Sequence, residues 1–407
     1  MSRSPLPSGG PVVVTGVGAV SPLGNDAATI GAALLAGRSG VVEIAAGDAC
    51  RGERQFAAPA ALPSLPGRAD LPNDRLAAMC LAPCTAALRD AGLDPATAAD
   101  PRRVGIVIGV GAEQLKSWEA DFLAGGREVF AARRPPGLVH RLAAALRIGG
   151  PATTVAAACA SSGYALAMAR RWIDAGLVDA CVAGGADILS PTGFAAFYNL
   201  RALSRRADDP SRASRPFDRD RDGFVMGEGG VFLVLESSLH AERRNARPRA
   251  VLAGAGMSGD AAHMVIPSAD PAEASRAIAL ALADAGVAPA DLDYVNAHAA
   301  GTPVGDVAEA AAIRLALGAA ADRVPVSSTK SMSGHLVSAA AAFEALVCLV
   351  ALEHQAIPPT VNLDHPDERC PLDHVAHVKR ERRVDVAASN SFGFGGANLC
   401  LVLRRAA

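Results

Sequence analysis

Four polar stretches in this 407-residue chain carry residue types that do chemistry. The first is Cys159, within Ala156-Ala157-Ala158-Cys159-Ala160-Ser161-Ser162-Gly163. A β-branched run, Thr153-Thr154-Val155, leads into it. An Ala-rich helical pattern follows from about Tyr164 to Leu177, with Met168, Trp172 and Ile173 spaced for burial. The cysteine therefore belongs on a tight strand-to-helix turn, where small neighbours let a substrate backbone come close. The positive end of the helix favours a thiolate, and amide N–H groups at such a turn can hold an oxyanion. The second stretch is Asn296-Ala297-His298, ending a buried strand, with Gly301-Thr302-Pro303 and Asp306 after it. The third is Ser328-Thr329-Lys330-Ser331-Met332-Ser333-Gly334-His335, with His335 opening a long apolar helix. The fourth is the glycine loop from Ser389 through Phe392-Gly393-Phe394-Gly395-Gly396 to Asn398. Taken singly, each is weak. A lone cysteine is most often a small buried hydrophobe, a strand-end histidine is more often structural, and a glycine loop is usually a turn.

The elements that must position these residues alternate along the chain. Residues 11–18 read as a buried strand ending in a glycine turn, and Asn25 as the cap of a helix running to about Ala36. Residues 45–72 are a Pro/Gly-rich loop, 74–91 a helix closed by Gly92, and 104–109 a second buried strand. An insertion over 111–137 carries Trp118, Phe122 and Phe130, and residues 141–146 lead toward the Cys159 turn. Residues 180–186 are a strand, 217–224 a charged turn, and 230–235 another strand. The second half repeats the plan: strand 250–255, helix 272–285, strand 292–297, helix 306–317, strand 324–326, helix 335–353, then strands 384–387 and 398–403. This alternation predicts α/β layers. Two halves of similar order, 1–249 and 250–407, meeting near Arg249, point to an internal duplication.

Composition narrows the function classes. Half the residues are hydrophobic, 20% are charged and the net charge is −2, so nothing marks a nucleic-acid binder. The 8 cysteines show no CxxC and no zinc spacing, and Cys80 and Cys84 sit four apart on a helical pattern, as packing residues do. Unpaired thiols fit a reducing cytoplasm. Residues 1–10 read as a disordered lead-in rather than a signal peptide, and no run of about 18 uncharged apolar residues predicts a membrane span.

Together the four stretches resemble the β-ketoacyl-acyl carrier protein synthase family, closest to its elongating enzymes. Further matching stretches are Val13-Val14-Thr15-Gly16-Val17-Gly18, Arg201-Ala202-Leu203-Ser204, and Arg215-Pro216-Phe217-Asp218 through Gly227-Glu228-Gly229. The resemblance covers essentially the whole chain. It implies the thiolase fold, with duplicated βαβαβαββ halves in a five-layer α-β-α-β-α arrangement. It implies decarboxylative Claisen condensation between an acyl group on Cys159 and malonyl-acyl carrier protein, giving a 3-oxoacyl-carrier protein. Cys159 would be the nucleophile, and His298 and His335 would assist decarboxylation as neutral hydrogen-bond donors. His335 at a helix start suits that role, because the dipole disfavours imidazolium. The backbone N–H groups of Cys159 and Phe394 would form the oxyanion hole. Phe394 would also gate the acyl pocket, with Gly393 and Gly395 giving it room to swing. Lys330 would pair with Glu344. Thr302 and His263 would contact the phosphopantetheine arm, with Asn296 in support.

No cofactor or metal is required by this chemistry. Asn296, Glu344, Ser389 and Asn390 match positions that surround a monovalent cation in some relatives, but mutual hydrogen bonding is the favoured reading of them.

The partners implied are an acyl carrier protein bearing phosphopantetheine-linked acyl and malonyl groups, and a second subunit. A homodimer comes first, with a ketosynthase-like partner as the alternative. Neither membrane nor nucleic acid is expected. The chain departs from the family pattern where it reads Ala299-Ala300-Gly301-Thr302, since Ala300 lacks a hydroxyl, and where Val265 replaces a common Thr. Gly109-Val110-Gly111-Ala112-Glu113-Gln114 stands where simpler glycine-rich segments are common, and the glycine loop ends Gly-Gly-Ala-Asn. The basic cluster expected before Leu76 is reduced to Arg75, which leaves Arg205, Arg206, Arg127, Arg133 and Arg134 as candidates for docking an acidic carrier. These departures leave fatty-acid elongation and a specialised polyketide or polyene pathway both open. A non-catalytic partner subunit is a lesser alternative, because such subunits lack the cysteine. A thiolase is disfavoured because the last loop has no second cysteine, Cys400 lying on a strand.

Overall fold

The computed structural model describes residues 10–44, 55–63, 74–98, 100–111, 113, 115–126, 137–206 and 208–406. Ten principal strands build one mixed sheet: β1 (Val12–Val20), β2 (Val104–Gly109), β3 (Ala152–Val155), β4 (Ala180–Asp187), β5 (Gly229–Ser237), β6 (Ala250–Gly259), β7 (Tyr294–Asn296), β8 (Pro325–Ser327), β9 (Val386–Gly393) and β10 (Ala397–Arg405). Their order is β8-β7-β9-β10-β6-β1-β5-β4-β2-β3, with the short strand Asp373–His374 beyond β8.

Each half has the same layout. In the first, β2 pairs in parallel with β3 and β4, β4 runs antiparallel to β5, and β5 antiparallel to β1. In the second, β7 pairs in parallel with β8 and β9, β9 runs antiparallel to β10, and β10 antiparallel to β6. Two short pairings, Val13 with Val251 and Val14 with Ala250, join the halves.

The helices are α1 (Ala27–Leu35), α2 (Arg75–Asp90), α3 (Leu115–Leu123), α4 (Leu138–Leu146), α5 (Ser161–Asp174), α6 (Pro191–Asn199), α7 (Ser238–Arg243), α8 (Ala272–Ala285), α9 (Gly305–Leu317), α10 (Lys330–Ser333) and α11 (Ala340–His354). Helices α5 and α11 pack on each other between the two halves of the sheet, α2 and α4 cover one outer face, and α8 and α9 the other. The result is the expected five-layer arrangement. From Ala340 to Leu352 every residue of α11 is buried, because both flanks of this helix are protein. The segment Val337–His354 is long and apolar enough to cross a membrane by length and composition, with mean hydropathy 1.6. It carries Glu344 and Glu353, so it is not an uncharged run, and 83% of it lies inside the fold.

Several local expectations shift. Gly16 and Gly18 lie within β1 rather than in a turn, because a Cβ there would meet Ala87 O at 2.3 Å and Pro83 O at 1.9 Å, where α2 crosses the strand. Asp26, not Asn25, caps α1, its carboxylate accepting from Thr29 N at 2.8 Å. The loop predicted over 45–72 contains a short strand, Gln55–Ala58. The insertion carries α3, with Trp118, Phe122 and Leu123 exposed. Phe130 and residues 127, 133 and 134 lie outside the described residues. Met168, expected to be buried, is 37% exposed on α5.

Candidate active site

Cys159 sits in a single 3-10 turn, Ala158–Ala160, between β3 and α5. The strained residue of the turn is Ala158, at φ 48°, whose methyl is the smallest side chain that makes a left-handed backbone tolerable next to a reactive sulfur. Gly393, at the end of β9, packs against this turn, and a Cβ there would meet Ala157 O at 2.6 Å. This revises the reading of the glycine loop. Gly393 is small so that β9 can touch the nucleophile turn, whereas Gly395 and Gly396 take positive φ and supply the loop's conformational freedom.

The two histidines arrive from the second half. His298 follows β7, where Glu309 of α9 accepts the N–H groups of His298 and Ala299 at 2.8 and 2.6 Å. His335 does not open the long helix, which starts only at Ala340. Gly334 at φ 64° and Val337 at φ 47° break the backbone on either side, and the His335 N–H and C=O bond to Val225 and Gly227 instead. The helix-dipole argument for His335 therefore fails. Its pKa falls well below the ordinary value because it is buried and Lys330 is near, and His298 is lowered by burial, Lys330 and His335.

Cys159 Sγ and the two imidazoles lie within 4.8 Å of one another, and His335 Nε2 is 3.1 Å from the sulfur. The far nitrogens define the tautomers. Val337 N–H donates to His335 Nδ1 at 3.2 Å, and Lys330 Nζ lies 3.4 Å from His298 Nδ1. Each Nδ1 is thus an acceptor, so each neutral ring carries its hydrogen on Nε2. Such a trio has the atom types of a thiophilic metal site, but protonated Nε2 positions are donors rather than ligands.

Lys330 also bonds His298 O and pairs with buried Glu344, whose second oxygen accepts from Ser391 at 3.3 Å. Burial pushes the Glu309 and Glu344 carboxyls up, each to about 7. Burial also pushes the Cys159 thiol up to about 12, against the pull of Lys330 and of a hydrogen bond from Phe394 N–H. The expectation of a ready thiolate is therefore corrected: with desolvation dominating, the resting sulfur keeps its proton.

A cleft of about 870 Å³ of free space, part of it open to solvent, leads to this trio. Cys159, His298, His335, Phe394, Thr302, Ala300, Val265 and Ile266 line it. Phe394 packs 6.0 Å from Phe197, and Phe224 stands edge-on to His335 at 5.2 Å. His263 is exposed and outside the lining. Its Nδ1 accepts the N–H groups of Val265 and Ile266 at 3.0 and 2.9 Å, so it shapes the loop rather than facing the cleft. Arg75 is exposed, but its guanidinium is paired with Glu228 and Ala60 O. Arg205 remains exposed, its guanidinium 5.8 Å from the Tyr198 ring. Asn296 Oδ1, Ser389 Oγ and Asn390 Oδ1 are buried without a hydrogen-bond partner. They do not satisfy one another as expected, and they do not share a face: Asn390 bonds Glu309 of α9 whereas Ser391, the next residue of β9, bonds Glu344 of α11, so Ser389 and Asn390 point to opposite sides of the strand.

A β-ketoacyl synthase N-terminal domain matches residues 10–241, and a β-ketoacyl synthase C-terminal domain matches residues 249–364. The chain belongs to the β-ketoacyl synthase family. It is 40% identical to a 3-oxoacyl-[acyl-carrier-protein] synthase 2 of Coxiella burnetii, over 97% of this chain and 98% of that one. It is 39% identical to a putative polyketide β-ketoacyl synthase 1 of Streptomyces halstedii, over 96% and 97%. Among solved structures, the ishigamide ketosynthase/chain length factor matches with a TM-score of 0.88 at 35% identity, covering 98% of this chain and 100% of that one. Membership in this family was readable from the four polar stretches. Glu309, Arg221 and Asp306 were not singled out for a role, although buried acids next to a glycine-flanked loop are a signal that could have found them.

Proposed function

We propose that the chain is a 3-oxoacyl-[acyl-carrier-protein] synthase that elongates carrier-bound acyl chains by decarboxylative condensation. The observation that carries this reading is the convergence of Cys159, His298 and His335, with both Nδ1 atoms engaged by donors and the Nε2–H groups on the side of the reactive sulfur. The halves 1–249 and 250–407 divide the work: the first supplies the nucleophile, the second both imidazoles, Lys330 and the glycine loop.

In the first half-reaction Cys159 Sγ attacks the acyl thioester carbonyl, a new thioester forms, and the thiol proton leaves with the pantetheine sulfur. The N–H groups of Cys159 and Phe394 hold the oxyanion, in line with the bond from Phe394 N–H to the sulfur. In the second, a malonyl thioester loses carbon dioxide, and its carbonyl oxygen gains charge that two Nε2–H donors stabilise. The resulting carbanion attacks the acyl-cysteine and releases the thiolate as leaving group.

Phosphopantetheine enters past Thr302 and Phe394, with Arg205 as a contact for an acidic carrier. The protein acts as a homodimer through the free edge of β3. A dedicated polyketide or polyene carrier is the second reading, favoured by the apolar Val265, Ile266 and Ala300 at the cleft. Each lost hydroxyl removes a hydrogen bond worth about 1 kcal/mol. Cys159→Ala should abolish both condensation and the mass gain from an acyl-carrier thioester. Full turnover by that variant would defeat the assignment.

A further inference from the structure

The charged residues of the turn 217–224 play no part in the chemistry above, yet one of them is a buried guanidinium. Arg221, its side chain 1% exposed, extends from this turn to the loop after His298. Its Nε donates to Thr302 O at 2.9 Å and its Nη2 to Pro303 O at 2.8 Å. Its Nη1 is anchored on Asp218 O at 2.8 Å and Asp367 Oδ2 at 2.7 Å. One side chain thus grips two consecutive carbonyls of the loop that carries Thr302. Asp306 grips the same loop from the other side, accepting Gly301 N and Thr302 N, each at 3.1 Å. Asp306 is itself tied to the turn by Phe217 N at 2.8 Å.

The object of this clamp is a single hydroxyl. Thr302 lines the cleft, and its Oγ1 accepts Gly305 N–H at 3.2 Å, which directs the hydroxyl's own hydrogen away from the backbone. Ala300 and Val265 have no hydroxyl to offer, which leaves Thr302 and Ser268 as the hydroxyl side chains lining the cleft, and Thr302 is the one the clamp holds. We propose that Arg221 is a positioning residue for the substrate arm: by fixing the carbonyls of Thr302 and Pro303 it aims the Thr302 hydroxyl at an amide oxygen of phosphopantetheine. The proposal rests on the function given above. A fork is needed here, because a lysine reaches one carbonyl where Arg221 holds two.

The test follows acylation of Cys159 by intact mass with two donors, a hexanoyl phosphopantetheine thioester and the hexanoyl thioester of ethanethiol, which has no amide. Arg221→Lys should raise the half-saturating concentration of the pantetheine donor about tenfold, with its maximal rate and the ethanethiol reaction unchanged. Asp367→Asn leaves the guanidinium in place and loosens its anchor, so it should give a rise of about threefold, again for the pantetheine donor alone. On a Thr302→Val background Arg221→Lys should add nothing. A parallel loss with both donors, no change with either, or a full effect on the Thr302→Val background overturns the proposal and leaves the condensing function standing. Failure of the unmutated protein to accept either donor overturns both.

Discussion

At the scale of single residues, the site separates two demands by environment. The sulfur is desolvated and keeps its proton until a thioester arrives, while the imidazoles are desolvated so that they never gain one. Lys330 serves the second demand. The chain has three lysines, Lys116, Lys330 and Lys379, among 39 basic residues. Where arginine is the default cation, a buried lysine marks a place where a compact charge fits and a planar fork does not. It faces His298 Nδ1, His298 O and Glu344 at once, which also forces the hydrogen of His298 onto Nε2. A pH profile follows from these shifts. Both histidines have pKa values well below 6.5, so as pH falls through 6.5 they remain neutral and keep their Nε2–H donors. Titration of the histidines should therefore cost decarboxylation of a malonyl thioester less than about twofold from pH 7.5 to 6.0, where an unperturbed imidazole would already be mostly protonated, and any larger fall should centre near 7, where the Glu309 and Glu344 carboxyls titrate. A rate that halves at pH 6.5 and keeps falling would contradict this electrostatic account.

At the scale of elements, close approach explains residues that composition alone left ambiguous. The alternation of strands and helices was legible because buried parallel strands read as apolar runs and helices as 3.6-residue periods. Residues 104–109 and 272–285 fell on their elements for that reason. The misplacements share a cause: they depend on a neighbour distant in sequence. Nothing local reveals that α2 lies on β1, so Gly16 and Gly18 read as a turn. Nothing local reveals that His335 bonds Val225 and Gly227, so it read as a helix start. The cysteine, both histidines and Lys330 were legible because their residue types are costly to bury without a purpose. Arg221 was not, because the carbonyls it holds have no signature in sequence. Gly18→Ala tests the packing argument. Its Cβ would meet Pro83 O at 1.9 Å, a backbone atom that cannot step aside, so α2 must move off β1. The expected cost is about 3 kcal/mol by chemical denaturation, near the upper end for overpacking. A change below about 0.5 kcal/mol would mean the helix accommodates the methyl freely.

At the scale of the whole molecule, the duplicated sheet leaves one end unfinished. In the second half the outer parallel strand β8 is covered by Asp373–His374. In the first half its counterpart β3 has β2 on one side and, among the described residues, no strand on the other. The bonds Ile106 N–H to Pro151 O and Val110 N–H to Val155 O turn the backbone groups of residues 151, 153 and 155 inward. By the alternation of a strand, those of Ala152 and Thr154 face outward, unpaired, directly ahead of the Cys159 turn. An open edge of this kind is a template for pairing with another chain, and the proposed homodimer would close it with a second β3. Thr154→Pro removes an outward N–H and spares the ladder to β2, since proline is tolerated on an edge. The expected outcome is a monomer by light scattering at micromolar concentration, with Cys159 still alkylated by iodoacetamide and condensation reduced at least tenfold. A variant that remains a fully active dimer would place the subunit contact on another face, with the exposed Trp118, Phe122 and Leu123 of α3 as the next surface to interrupt.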